Sequence, residues 1–82
     1  MNYVYILYSE KLNRYYVGFT TILVEERLKK HLSNHSGYTS RTKDWEIVYT
    51  EEYLMKEEAT KREKEIKNWK SSLKIKELID NN

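Results

Sequence analysis

Two short runs rich in tyrosine, valine and isoleucine lie near the start of the chain, within residues 3–18. A polar segment, residues 9–13, separates them. β-Branched and aromatic runs joined by a few turn-forming residues are typical of a β-hairpin. Side chains alternate between the two faces of a strand, and both faces of the first run are apolar. The sequence therefore predicts a hairpin whose first strand is buried on both faces in the middle of a sheet.

The rest of the chain predicts one further strand and three helices. The predicted strands cover about residues 2–9, 14–19 and 45–53, and the predicted helices cover about residues 21–33, 55–69 and 71–80. The third strand is the most polar, so we expect it at an edge of the sheet. We expect Thr20 or Thr21 to cap the first helix and Ser71 to cap the last. An order of strand, strand, helix, strand, helix, helix is typical of an α+β fold.

The length and composition of the chain limit what it can be. A chain of 82 residues is one small domain with a modest core, so we expect a single domain over residues 1–82. The chain has no cysteine, which excludes disulfides and thiolate metal sites within it. The longest apolar run, around residues 4–8, is far too short for a membrane span, and nothing resembles a signal peptide. We therefore expect a cytoplasmic protein that does not associate with membranes.

Positive charge is concentrated in one part of the chain. The formal net charge is only +2, which by itself indicates no particular partner. The basic segment, residues 27–43, nevertheless contains two histidines, no acidic residue and five cations: Arg27, Lys29, Lys30, Arg41 and Lys43. Such a concentration is typical of a phosphate-binding surface, although an ordinary solvated surface has the same composition.

Four side chains stand out, and each also has an ordinary structural explanation. Tyr5 and Tyr16 lie in the two hairpin strands, where tyrosines are usually core aromatics with a bonded hydroxyl. Arg27 and His31 are four residues apart and therefore share one face of the first helix, as many surface residues do. None of the four indicates a function when it is considered alone.

Glu63 falls on the apolar stripe of the second helix, whose expected inward residues are Met55, Ala59, Ile66 and Trp69. A carboxylate that faces a core must be solvated, paired with a cation or bound to a metal. The sequence leaves both the structural and the metal-binding interpretation open, because three basic residues are candidates for an ion pair: Arg27, Arg62 and Lys67.

Together these residues follow the order and spacing of a known protein family. Tyr3-Val4-Tyr5 followed by Tyr16-Val17-Gly18 resembles the paired motif of the GIY-YIG nuclease domain, which also occurs in excision-repair endonucleases. The likeness is greatest to the small stand-alone bacterial members. It continues through Gly18-Phe19-Thr20-Thr21, Arg27-x-x-x-His31, Gly37-Tyr38-Thr39, Glu58-Ala59-x-x-x-Glu63 and Ile66-Lys67-x-Trp69. One departure from the motif matters: Tyr3 stands where the family has glycine, a change of packing that leaves Tyr5 in place.

The resemblance implies a small three-stranded antiparallel sheet flanked by helices. It also implies hydrolysis of DNA phosphodiester bonds with one divalent ion, Mg²⁺ or Mn²⁺, in DNA repair or recombination. Glu63 is the residue that would hold the ion. Both ions take oxygen ligands and keep several waters, so a single carboxylate requires substrate phosphate to complete the coordination shell.

The resemblance also implies roles for the other candidates. Arg27 would hold the phosphate oxygens with its planar guanidinium, which a lysine does not imitate. Tyr5 or Tyr16 would orient or deprotonate the attacking water, and we favour Tyr5 as the base, although the sequence does not rank the two. His31 would relay a proton or hydrogen-bond the phosphate. Four cations would contact the DNA backbone without reading its sequence: Lys29, Lys30, Arg41 and Lys43.

Two functions from different classes follow from these observations. The first is a metal-dependent DNA endonuclease that selects the structure of the DNA rather than its sequence, with a protein partner as a possible source of specificity. The second is a non-catalytic nucleic-acid-binding module of the same fold. A purely structural or protein-interaction domain is less favoured, because it gives Glu63 no reason to lie on the apolar stripe.

Overall fold

The computed structural model describes residues 1–33 and 41–81. The strands are β1 (Asn2–Ser9), β2 (Arg14–Thr20) and β3 (Glu46–Tyr53), and the helices are α1 (Val24–Ser33), α2 (Lys56–Asn68) and α3 (Ser72–Asp80). All six elements occur in the predicted order, and the predicted α+β class is confirmed. No helix in these two ranges is both long and apolar enough to cross a membrane.

The three strands form an antiparallel sheet in the order β2-β1-β3. The predictions that β1 lies in the middle and β3 at an edge are therefore confirmed. In the pairing of β1 with β2, Tyr5 lies opposite Gly18 and Leu7 lies opposite Tyr16. Residues opposite each other in an antiparallel pair point to the same face. Tyr5 and Tyr16 therefore share one face of the sheet.

Both faces of β1 are covered, which explains why its sequence is apolar throughout. On one face, Val4 and Ile6 pack with residues of β2, α2 and α3: Val17, Ala59, Ile66 and Ile75. On the other face, Tyr5 and Leu7 pack with Val24 of α1 and with Trp45. Val4, Ile6 and Leu7 are completely buried, and each such aliphatic side chain contributes about 1.5–3 kcal/mol relative to an exposed one.

Helix α1 begins later than its sequence predicts. The Thr20 hydroxyl accepts a hydrogen bond from the N–H of Ile22 at 3.1 Å, so it stabilises a turn just after β2. The first helical hydrogen bond runs from the N–H of Arg27 to the carbonyl of Leu23 at 3.0 Å. The helix consequently starts at Val24 rather than near residue 21.

The cap of α3 and two of the expected inward residues of α2 agree with the predictions from the sequence. Ser71 caps α3 as predicted, because its hydroxyl accepts from the N–H of Lys74 at 3.2 Å. Ala59 and Ile66 of α2 are buried as predicted. The prediction for Met55 is wrong: its side chain is 55% exposed. Its backbone is extended and precedes the first helical residue, so the side chain does not follow the helical stripe.

Candidate active site

Tyr5 lies in the middle of β1 and is 1% exposed. Its phenol lies across Gly18 on the neighbouring strand β2, where a Cβ atom would overlap the Tyr5 hydroxyl. A strand glycine often marks a close approach of this kind. The absence of a side chain at Gly18 therefore creates the space that the phenol occupies.

The Tyr5 hydroxyl is hydrogen-bonded to Nε2 of His31 at 2.8 Å, and His31 is 6% exposed. Burial lowers the pKa of His31, and the positive charge of Arg27 lowers it further. The imidazole is therefore neutral at neutral pH, and its Nε2 can accept the hydrogen bond that Tyr5 donates. Helix α1 supplies two of the residues that act on this phenol, Arg27 and His31, which lie one turn apart on it.

The pKa of Tyr5 itself is raised above its ordinary value. Burial is the largest cause, while a contact with the Arg27 guanidinium acts in the opposite direction. The charges of Tyr16 and Glu63 raise the pKa further. Tyr5 consequently keeps its proton at neutral pH. The four other predicted site residues all act on this phenol: His31 and Arg27 through hydrogen bonds, and Tyr16 and Glu63 through their charge.

Tyr16 is half-buried and lies on the same face as Tyr5. Its ring centroid is 5.1 Å from that of His31, 6.4 Å from that of Tyr5 and 6.4 Å from that of Trp45. Trp45 is 3% exposed and meets Tyr16 edge-on. We call these four rings the aromatic wall. Trp45 is not among the residues predicted from the sequence, although a tryptophan two positions after the basic segment is a signal for it.

Arg27 has an unusual environment for an arginine. Its Nε is buried and has no hydrogen-bond partner within the described part of the chain. Buried polar groups are nearly always hydrogen-bonded, so each exception requires an explanation. The guanidinium acts on the pKa of both Tyr5 and His31, so it lies beside the aromatic wall. Its Nε–H is a donor without an acceptor among the described residues. An anion bound there would satisfy it.

Glu63 lies on α2, which packs against the other face of the sheet, and only its charge acts on Tyr5. Its side chain is 19% exposed, and its Oε2 lies 3.4 Å from Nζ of Lys67. Across residues 1–33 and 41–81, no group of three or more histidine, cysteine, aspartate or glutamate side chains could hold a metal ion. A single carboxylate suits a hydrated Mg²⁺ or Mn²⁺ ion whose remaining ligands are water and substrate phosphate.

The candidate DNA contacts lie on exposed surface at both ends of the basic segment. Lys29 and Lys30 are exposed on α1, while Arg41 and Lys43 are exposed shortly before Trp45. The middle of the segment, with the Gly37-Tyr38-Thr39 motif, lies outside the described residues.

Comparison with known proteins gives three consistent matches. The family model of the GIY-YIG catalytic domain matches residues 1–76. A UPF0213 protein of Staphylococcus haemolyticus is 38% identical over 76 residues, which cover 92% of this chain and 90% of that protein. The solution NMR structure of a UPF0213 protein from Bacillus halodurans is 36% identical, with a TM-score of 0.63. That match covers 100% of this chain and 86% of the other.

Proposed function

Because the chain belongs to the GIY-YIG nuclease domain family, we propose that it is an endonuclease that hydrolyses DNA phosphodiester bonds with one divalent ion, Mg²⁺ or Mn²⁺. The observation that carries the proposal is the buried Nε of Arg27, which has no hydrogen-bond partner in the described ranges. Hydrolysis needs an activated water, stabilisation of the charge on the phosphate and a neutralised leaving oxygen. The residues around Tyr5 offer a group for each of these needs.

Arg27 is the group that binds the scissile phosphate. A guanidinium presents its donors in one plane and can bond two phosphate oxygens at once. Because Nε is buried, the guanidinium would turn toward the DNA on binding, and a phosphate oxygen would then supply the hydrogen bond that the described residues leave unmade. The same contact would stabilise the negative charge that develops during attack. Lys29 and Lys30 lie on the same helix and would bind neighbouring phosphates.

We assign activation of the water to Tyr16 rather than Tyr5, which reverses our preference from the sequence. Tyr5 is almost completely buried, its hydroxyl bonds to His31, and burial raises its pKa. Tyr16 is half-buried on the same face, with its ring against the same imidazole. Tyr16 would take the proton of the attacking water while it releases its own phenolic proton to solvent. His31 would hold the neighbouring Tyr5 through Nε2 rather than receive this proton.

Glu63 is the residue that would hold the divalent ion through its carboxylate oxygens. When bound, such an ion would neutralise charge on the phosphate and on the leaving oxygen. Because Glu63 is a single carboxylate, we expect the chain to bind the ion weakly until DNA supplies further oxygens. Lys67 supplies the local counter-charge for Glu63.

We further propose that the enzyme selects DNA by structure and acts in repair or recombination, with a protein partner that supplies specificity. The candidate contacts are lysines and arginines, which bind phosphates of any sequence. A chain of 82 residues leaves little surface for reading base edges. Branched or nicked DNA is therefore a more suitable substrate than a sequence-defined duplex.

The test is cleavage of supercoiled plasmid, nicked duplex and branched DNA in Mg²⁺ or Mn²⁺ by the wild type and by Glu63→Gln. The matched control is Glu57→Gln, which removes an exposed carboxylate in the first turn of the same helix. We expect cleavage by the wild type and the control, and none by Glu63→Gln.

Two outcomes would overturn the proposal in different ways. Cleavage that survives Glu63→Gln would indicate a contaminating nuclease or a different metal ligand. A shift in the mobility of the DNA without cleavage of any substrate would favour the non-catalytic binding module.

A further inference from the structure

A single carboxylate, that of Asp44, joins three separate parts of the chain. Its Oδ1 accepts hydrogen bonds from the hydroxyls of Ser9 at 2.6 Å and Thr42 at 2.9 Å. Its Oδ2 accepts from the backbone N–H of Lys11 at 2.9 Å. The Ser9 hydroxyl in turn accepts from the N–H of Leu12 at 3.1 Å. These five residues, which we call the Asp44 network, link the end of β1, the hairpin turn and the segment before β3.

The network is built from buried donors and a charged acceptor. Ser9 is 0% exposed and Thr42 is 7% exposed, so both hydroxyls depend on this carboxylate for a partner. The hydrogen bond from Ser9 is the main cause that lowers the pKa of Asp44, and the N–H of Lys11 lowers it further. The carboxylate is therefore ionised at neutral pH. Hydrogen bonds to an ionised acceptor are roughly twice as strong as neutral ones.

The same short segment carries parts of the candidate active site. Arg41 and Lys43 are candidate DNA contacts. They flank Thr42, and Lys43 directly precedes Asp44. Trp45 follows Asp44 directly and lies against the ring of Tyr16 in the aromatic wall. The position of Asp44 thus sets where the two cations and the indole lie relative to the hairpin.

We propose that Asp44 is a positioning residue that fastens residues 41–45 to the hairpin, so that Arg41 and Lys43 meet DNA phosphates next to Tyr16. The inference rests on the proposed binding of DNA, and it concerns a residue that does not touch the substrate. It also explains an acid at the edge of the basic segment. A carboxylate that served only as surface charge would repel DNA there.

A positioning role and a role as surface charge alone predict opposite effects of Asp44→Asn on DNA binding. Asp44→Asn removes the charge and puts an amide N–H₂ or an uncharged oxygen where the network needs an ionised acceptor. If Asp44 positions the segment, the variant binds DNA more weakly. If Asp44 is only a surface acid, loss of its negative charge leaves binding unchanged or tightens it. The matched control is Glu46→Gln, because Glu46 lines the same surface hollow but lies outside the network.

The measurement is fluorescence anisotropy with a labelled branched DNA in EDTA, so that no cleavage occurs, over a range of salt. We expect Asp44→Asn to weaken binding roughly 3–10-fold and to reduce the salt slope by about one, as for the loss of a phosphate contact. Glu46→Gln should bind as tightly as the wild type or slightly more tightly. Circular dichroism confirms that each variant is folded.

A spectroscopic measurement separates positioning from general loss of structure. The chain has two tryptophans, so a Trp69→Phe background leaves Trp45 as the only indole. In that background, Asp44→Asn should shift the emission of Trp45 to the red, and Glu46→Gln should not. Thr42→Val, which removes one donor and no charge, should shift it in the same direction. If Asp44→Asn does not fold, Thr42→Val takes its place in the binding experiment.

Each outcome decides one of the two proposals. A wild type that binds no DNA would overturn the proposed function and this inference with it. A wild type that binds, together with an Asp44→Asn variant that binds equally well or better, would overturn this inference alone. Weaker binding with an unchanged Trp45 emission would also overturn it, because the segment would not have moved.

Discussion

Two arginines on opposite sides of the sheet have very different surroundings. Arg62 of α2 donates from Nε to Glu51 at 3.1 Å, bonds Glu65 and lies with its guanidinium carbon 5.5 Å from the centre of the Trp69 ring. Arg27 of α1 has a buried Nε with no hydrogen-bond partner among the described residues. Hydrogen bonds that the fold already makes indicate a structural role. Donors that the fold leaves unused indicate a ligand.

The carboxylate that Arg62 binds is as fully bonded as the arginine. Glu51 accepts from the hydroxyls of Tyr49 and Tyr53 as well as from Arg62. Burial acts to raise the pKa of Glu51, but these hydrogen bonds outweigh it and the pKa is lowered. Burial and the bond to Glu51 raise the pKa of Tyr53 to about 12. We call Glu51, Arg62 and the two tyrosines the Glu51 network, and each of its members serves the fold.

The matched substitutions Arg27→Lys and Arg62→Lys test this comparison most strongly. Arg27→Lys should lower the rate of DNA cleavage by about 10²–10³-fold, because a lysine lacks the planar donors that stabilise charge on the phosphate. Its melting temperature should stay close to that of the wild type. Arg62→Lys should retain the cleavage rate and lower the free energy of unfolding by about 1–2 kcal/mol. Equal effects of both variants on cleavage would remove the distinction between the two arginines.

How far the fold follows from the sequence depends on the range of the interactions that decide it. β1 and β2 are predictable because alternation and apolar faces are properties of neighbouring residues. The start of α1 is not, because the Thr20 hydroxyl bonds two residues ahead rather than capping the helix. The prediction for Met55 is wrong for a similar local reason. The backbone of Met55 is extended, so its side chain does not join the apolar stripe of α2.

The candidate site shows the same dependence. The five predicted residues follow from spacing and from the resemblance to a family; His31 and Arg27 bond the Tyr5 phenol, and Tyr16 and Glu63 act on it through their charge. Trp45 and Asp44 were missed because their importance comes from contacts with residues far away in the chain. The hydrogen bond from Ser9 to Asp44 joins residues 35 positions apart, and no sequence pattern around either residue predicts it. Burial, which makes Tyr5 a poor base, is likewise visible only in the folded chain.

The carboxylates of Glu51 and Glu63 should differ in their contribution to the free energy of unfolding. Glu51→Leu should lower the free energy of unfolding by about 2–3 kcal/mol, because it leaves Arg62 and two tyrosine hydroxyls without their acceptor. Glu63→Leu should leave stability unchanged or increase it by up to about 1 kcal/mol, because it removes a partly desolvated charge from an apolar stripe. Urea unfolding measures both. A clear loss of stability in Glu63→Leu would identify Glu63 as part of a structural ion pair.

The two regions should also lose stability at different pH. Burial lowers the pKa of His31 from its ordinary 6.5. As the pH falls, His31 is therefore protonated in the unfolded state before it is protonated in the folded state. Stability should therefore fall as the pH drops below about 6.5, and His31→Asn should flatten this part of the profile. The pKa of Glu51 is lowered from 4.5, so its contribution should be lost only below about that pH. Thermal melts between pH 7.5 and 3.5 test this order, and a His31→Asn profile identical to that of the wild type would contradict it.

The smallest effect concerns the ion pair between Lys67 and Glu63 on α2. Lys67→Gln should change the free energy of unfolding by less than about 0.5 kcal/mol, because an ion pair four residues apart on a helix contributes little when one partner, here Lys67, is exposed. A larger loss, as expected for Arg62, would mean that Glu63 is held for structural reasons. Urea unfolding beside Arg62→Lys gives the direct comparison.

The central claim is that the unused donor of Arg27 binds a DNA phosphate, and NMR of the arginine Nε–H groups tests it most directly. The experiment adds a short branched DNA to ¹⁵N-labelled Glu63→Gln protein, in which cleavage should be blocked. The account predicts that the Arg27 Nε–H signal shifts and exchanges more slowly with water, while the Arg62 signal stays in place. A protein that binds the DNA with an unchanged Arg27 signal would contradict it.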